Sequence, residues 1–229
     1  FPDSMENIAI VLPSKRSVIF LKHHLSKLID KPIFLPKFFS IEEFIEELSG
    51  YRVVDNLSLQ FYLYQSYLES PPSQTDTFEK FMSWSSMLLH DFNEVDRSLV
   101  DAKSVFTNLK QVKELENWTL EDWSFNSENL TDSQEQYVSF YNQFYNWYLS
   151  FNKILADKKL AYQGMAYKKA ASEIEDKNLE WEKVWFVGLN ALTLSEQQII
   201  DNLKKRDIAR VFWDADQYYY NNPNHEAGE

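Results

Sequence analysis

The strongest constraint on this chain is a strand–helix–strand signature between Lys183 and Gln217. Val184-Trp185-Phe186-Val187 is a short unbroken run of β-forming apolar residues, the pattern of a strand buried on both faces. Thr193 or Ser195 can cap a following helix, whose apolar positions Ile199, Ile200 and Leu203 fall at helical spacing. Ile208 to Trp213 supplies a second apolar run. Two such strands joined through a helix form one right-handed parallel crossover.

The amino-terminal end carries the same kind of signal. Asn7 to Leu12 is apolar and partly β-branched, and Pro13 ends it, as expected of a buried strand entering a turn. Ser14 is a plausible N-cap, after which Val18, Leu21, Leu25, Leu28 and Ile29 recur at helical spacing. Pro32 to Pro36 reads as extended, and Ser40 with Glu43 forms a capping box for a helix over Ile41 to Leu48, stopped by Gly50.

From Leu57 to about Leu155 the pattern is helical. Leu57, Phe61, Tyr64 and Leu68 make one stripe, broken by Pro71-Pro72. Phe78, Phe81, Met82, Leu88 and Leu89 make another, followed by an acidic turn from Asp91 to Asp96. Tyr137, Phe140, Tyr141, Phe144, Tyr145, Tyr148 and Phe151 form an aromatic face whose helical spacing favours packing over base stacking. Leu160 to Ile174 is one more helix, with Lys158, Lys159, Lys168 and Lys169 on a solvated face. The expected fold is therefore α/β: a parallel sheet with flanking helices built from residues 1–55 and 156–229, and a large all-helical insertion over 56–155.

With 229 residues, 44% of them apolar, the chain can bury one large core or two intimate ones. No apolar run reaches the roughly 18 residues that a bilayer span needs, so no membrane partner is expected. Cysteine is absent, which excludes disulfides and thiolate chemistry and makes the reducing cytoplasm the default location. A start at Phe1 and a stop at Glu229, shortly after an apolar strand, are what a piece of a longer protein would show.

Charge narrows the partners. A net charge of -12 opposes a surface that grips nucleic acid everywhere. From Pro13 to Lys37, however, six basic residues stand against Asp30 alone, a local balance of +5. From Glu114 to Glu135 there are seven acidic residues and no basic one. Any contact with phosphate is thus expected near the amino-terminal end.

Several chemistries are missing. The four glycines, Gly50, Gly164, Gly188 and Gly228, are too far apart to make a phosphate-cradling loop, so neither nucleotide-binding glycine motif is present. His23, His24, His90 and His225 lack metal-ligand spacing, and Asp91, Glu94 and Asp96 read as a solvated turn. Asp101-Ala102-Lys103 and Asp157-Lys158-Lys159 match a fragment of a nuclease motif but lie in helical contexts. No catalytic constellation, metal site or cofactor is expected.

Several stretches, in order, resemble the first core domain of a superfamily I DNA helicase, and more closely the inactivated helicase half of AddB/RexB-type helicase-nuclease subunits, including the AddB-like proteins of Bacteroidetes. Val11-Leu12-Pro13-Ser14-Lys15-Arg16 resembles the strand-Pro turn of helicase motif Ia, and Phe38-Phe39-Ser40-Ile41-Glu42-Glu43-Phe44 resembles the T-F-H element after it. In the family both lie along single-stranded DNA. Tyr162-Gln163-Gly164-Met165-Ala166 sits where helicases carry D-F-x-D-L-L, and Val184 to Asn190 resembles the Walker B strand, V-D-E-F-Q-D. Trp213 to Tyr220 is similar to motif III, G-D-x-x-Q-S-I-Y, keeping Asp214, Gln217 and Tyr220. Leu57 to Leu155 falls where the family inserts its 1B subdomain.

The resemblance implies a P-loop NTPase-like topology without the P-loop. Gly188 and Leu189, followed by Asn190, stand where the magnesium-binding Asp and catalytic Glu would be, and neither can hold a cation or orient water. It implies an inactivated module of an ATP-dependent helicase-nuclease of double-strand break repair and recombination. Such a module is no enzyme itself; it binds single-stranded DNA through Ser14, Lys15, Arg16, Ser17, Phe39 and Ser40. It also docks a cognate helicase subunit and is followed by a PD-(D/E)XK-type nuclease domain. The alternative is a protein-interaction module in which the acidic, aromatic helical insertion docks a partner subunit.

Overall fold

The computed structural model describes residues 5–72, 75–106 and 132–214, with the backbone alone over 132–142. The chain divides into two compact units, Phe1–Ser49 with Lys169–Glu229, and Gly50–Lys168.

The first unit is α/β. Strands β1 (Ile8–Leu12), β2 (Lys37–Ser40), β5 (Lys183–Val187) and β6 (Ala209–Phe212) form one sheet in the order β2-β1-β5-β6, and every pair is parallel. The two ends of the chain thus share a sheet, with Ile10 beside Trp185 and Val11 beside Phe186. Helix α1 (Lys15–Leu28) links β1 to β2, and α7 (Leu194–Lys205) links β5 to β6 in the opposite direction. Right-handed crossovers running in opposite directions put their helices on opposite faces.

The two faces are filled unequally. Ala9, Val11, Phe39, Val184 and Phe186 point to one face, all buried. Phe44 of α2 (Ile41–Ser49) packs there edge-on against Phe39 and Phe186, with Trp181 against both Phe39 and Phe44. On the other face Val18 of α1 covers Ile10 and Leu12, while Phe38, Trp185 and Val187 stay half-buried. The β5 strand expected to be buried on both faces is therefore buried on one. An unbroken apolar run records only that neither face tolerates charge, not how many helices cover each.

Local signals fix the helix ends. Ser14 caps α1 by accepting from the Ser17 amide at 3.2 Å. Ser40 and Glu43 form the reciprocal capping box, as do Thr193 and Glu196 on α7. Of the two candidates Thr193 is the cap, and Ser195 is buried within the first turn. Gly50 takes φ +66° where α2 ends, a conformation that favours glycine.

Among the described residues, the regular elements of the second unit are helices apart from a two-residue parallel ladder between β3 (Arg52–Val53) and β4 (Leu160–Ala161). Residues expected to open a helix at Leu160 therefore form a strand, and α6 starts at Gln163 (Gln163–Glu173). Helices α3 (Asn56–Glu69), α4 (Phe78–Arg97) and α5 (Asp132–Asp157) enclose an aromatic core around Tyr67, Phe81, Phe92, Trp147 and Phe151. Phe144, Tyr148 and Phe151 of the predicted aromatic face are buried in that core; the side chains of Tyr137, Phe140 and Tyr141 lie outside the described residues.

Two expectations are corrected here. The buried face of α3 is Leu59, Leu63 and Tyr67, whereas Leu57, Phe61 and Leu68 are exposed. The stretch from Asp91 to Asp96 is no turn: α4 continues to Arg97 and carries Asp96 inward to 1% exposure.

Candidate functional site

Because all four strands of the first unit are parallel, their carboxyl ends share one edge. Ser14 to Ser17 follow β1, Ser40 closes β2, Gly188 to Asn190 follow β5 and Asp214 follows β6. The chain leaves β1 toward β2 and leaves β5 toward β6, so the topological switch point falls between β1 and β5. In open α/β sheets that crevice is where ligands bind. The fold thus gathers the predicted residues of four separate stretches along one rim.

Their roles on the rim differ. The Ser14 and Ser17 hydroxyls lie 3.0 Å apart at the start of α1, whose first turn holds no acidic residue. Lys15 and Arg16 are exposed beside them. A helix amino terminus with two cations favours an anion. Lys15, however, already pairs with Glu43 at 3.2 Å. The Glu43 carboxyl is held below the usual range, mainly by the Ser40 amide, with burial opposing and Lys15 assisting. That pair is well exposed, so it stabilises by at most about 1 kcal/mol and an incoming phosphate can compete for Lys15.

Phe39 and Ser40 do not offer what the sequence suggested. The Phe39 ring is buried between Phe44 and Trp181, with the Lys37 ammonium 5.4 Å from its centre, so no face is open to a base. The Ser40 hydroxyl, 1% exposed, is committed to the capping box, donating to Glu43 Oε2 and accepting from the Glu43 amide. Of the six proposed contacts, Ser14, Lys15, Arg16 and Ser17 remain presentable to a ligand.

At the end of β5, Gly188 takes φ +66° and its amide donates to Phe212 O at 2.8 Å. Leu189 is buried and Asn190 is exposed. Residues 188–190 carry no carboxylate, so the β5 terminus by itself has no group to hold a magnesium ion. Asp214 is exposed on the rim, and Gln217 and Tyr220 lie outside the described residues. No known family model matches this chain, and no curated protein matches it. Among the described residues, no group of three or more His, Asp or Glu side chains is placed to hold a metal ion, and no helix is long and apolar enough to cross a membrane.

The most densely bonded polar cluster is one the sequence did not announce. In the second unit Asp96 accepts from Tyr148 Oη at 2.5 Å, from Lys168 Nζ at 2.8 Å and from Tyr162 Oη, which also lies 3.0 Å from Asn152 Oδ1. Lys168, expected on a solvated face, is this carboxylate's counter-ion; Lys169 pairs with Glu173. A usable signal existed: Leu88, Phe92 and Asp96 fall at four-residue intervals on one face of α4. Asp96, Tyr148 and Tyr162 are buried and only Lys168 and Asn152 of the cluster reach solvent, which suits a structural tie better than a reaction centre. Most of the acidic stretch Glu114 to Glu135, proposed as a docking element, lies outside the described residues.

Proposed function

We propose that this chain is a helicase-like module that does not hydrolyse ATP, belongs to an AddB/RexB-type helicase-nuclease of double-strand break repair, and contributes single-stranded DNA contact and scaffolding beside a cognate helicase subunit. The observation that carries this reading is the rim at the switch point. The basic, capped start of α1 with Ser14, Lys15, Arg16 and Ser17 stands beside a β5 terminus of Gly188 and Leu189, which bears no carboxylate. Such a rim can position a phosphate backbone, and its β5 terminus offers no carboxylate to activate water. Phosphate contacts of this kind position a strand without reading its sequence.

The test is a titration of labelled single-stranded DNA at low and moderate salt with the wild type and a Lys15→Glu/Arg16→Glu variant. The variant should bind about ten-fold more weakly at low salt and lose roughly 0.7 in log-log salt slope for each phosphate contact removed. Unchanged binding removes the assignment of these residues. Magnesium-dependent ATP turnover by the wild type would overturn the non-hydrolysing part independently.

A further inference from the structure

Helix α1 is poorly covered for its composition, since Val18 is its one buried residue. Beyond it, Phe34 and Leu35 are 69% and 48% exposed. Between the carboxyl-terminal half of α1 and the connection to β2 lies a cleft of about 260 Å³, lined by Lys22, Leu25, Ser26, Ile29, Ile33 and Leu35. The Ser26 hydroxyl is spent on His23 O at 2.8 Å, so the floor is aliphatic. Lys22 is the one ionised group in the lining, its ammonium 5.1 Å from the centre of the Phe38 ring. Pro32 and Pro36 stiffen the wall opposite.

Charge around the cleft is mainly positive. Lys22, Lys27 and Lys31 are exposed, and none takes part in an ion pair among the described residues. Asp30 is the lone acidic residue of the Pro13 to Lys37 segment. Leu25, Ile29, Ile33 and Leu35 give the cleft an aliphatic lining that can receive an apolar side chain. A nucleic acid would use the lysines but leave the aliphatic floor empty.

We infer that this cleft docks an acidic segment of a partner protein, seating one leucine- or phenylalanine-like side chain among Leu25, Ile29, Ile33 and Leu35 while flanking carboxylates meet Lys22, Lys27 and Lys31. Charge complementarity selects the partner, and desolvation of the seated side chain supplies affinity. The inference uses none of the residues assigned to DNA, so the two stand or fall separately.

The experiment uses the intact chain with labelled isoleucine and leucine methyl groups. The probe is a short synthetic peptide of glutamates interrupted by leucine and phenylalanine, with an all-glutamate peptide, an oligothymidylate and phosphatidylserine vesicles as comparisons. The mixed peptide should shift the methyl signals of Leu25, Ile29, Ile33 and Leu35. Lys22→Glu and Leu35→Glu, both at exposed positions, should each weaken it about ten-fold or more, while Lys15→Glu/Arg16→Glu changes it less than about two-fold. Silent cleft methyls, equal binding of the all-glutamate peptide, or unaffected binding in the Leu35→Glu variant would overturn the inference. So would oligothymidylate or vesicles moving the same methyls more strongly than the peptide does.

Discussion

Replacing Asp96 by asparagine keeps its size and removes its charge. The residue is 1% exposed and bonds to two tyrosine hydroxyls and the Lys168 ammonium, so α4, α5, α6 and the β4 to α6 turn meet at one carboxylate. Breaking a buried ion pair from one side costs about 3–5 kcal/mol. Lys168 keeps 40% side-chain exposure and can rehydrate, which places Asp96→Asn near the lower end, about 3 kcal/mol. Lys168→Met leaves the carboxylate charged between two hydroxyls and should cost a similar amount. The double variant should be less destabilised than the sum of the singles by about 1 kcal/mol or more. Urea unfolding followed by hydrogen exchange in peptides from α4 and α5 reads the second unit by itself. A loss below about 1 kcal/mol for Asp96→Asn, or strict additivity, would refute the assigned coupling. The cluster also sets an alkaline limit. Burial and then Asp96 push the Tyr148 hydroxyl up to about 12, and Lys168, against the pull of burial, is held at about 12 by Asp96 and Tyr148. Both groups bind their protons more tightly when folded, so their stabilisation is complete below pH 10, where unfolded tyrosine starts to titrate, and is lost as pH rises toward 12. In Asp96→Asn that alkaline loss should shrink.

Gly164→Ala should be among the most damaging single-methyl changes, because a Cβ there would sit 2.2 Å from the Asn93 backbone oxygen; a loss of about 3 kcal/mol or more is expected in the same urea assay. Glu43→Gln should weaken the cap of α2 by about 1 kcal/mol while releasing Lys15, so thermal stability falls as single-stranded DNA affinity rises; a fall in both would show that Lys15 does not contact DNA. Thr193→Ala should cost about 1 kcal/mol, and Thr193→Ser nearly nothing, by thermal melting of the first unit.

The parts of the fold legible in the sequence were those with local causes. The β1, β5 and β6 runs, Ser14, the Ser40–Glu43 box and Gly50 each declare themselves within a few residues. Phase was harder. Along α3 two apolar series run at helical spacing, Leu57-Phe61-Tyr64-Leu68 and Leu59-Leu63-Tyr67, and packing against α4 and α5 selects the second. Periodicity cannot choose between them. The burial of Asp96 is not legible in the sequence, because a carboxylate weighs toward solvent unless its partners are known, and these come from 52, 66 and 72 residues away. At the candidate rim, the grouping of Ser14 to Ser17 with Gly188 to Asn190 needed strand order, whereas the burial of Phe39 needed Trp181, a residue outside any regular element. Sequence spacing carries neither.

The short ladder between β3 and β4 has a consequence for how the molecule could have arisen and how it can be rebuilt. Arg52 and Val53 lie directly beside Leu160 and Ala161, so segments close to the two ends of the second unit are paired with each other. A cassette paired so near its two ends can be transplanted, swapped for a foreign cassette or bridged by a brief linker without tearing its host. It also shortens the effective search that brings Val11 to Phe186: once the cassette closes this ladder, the host's two halves are tethered neighbours rather than distant strangers.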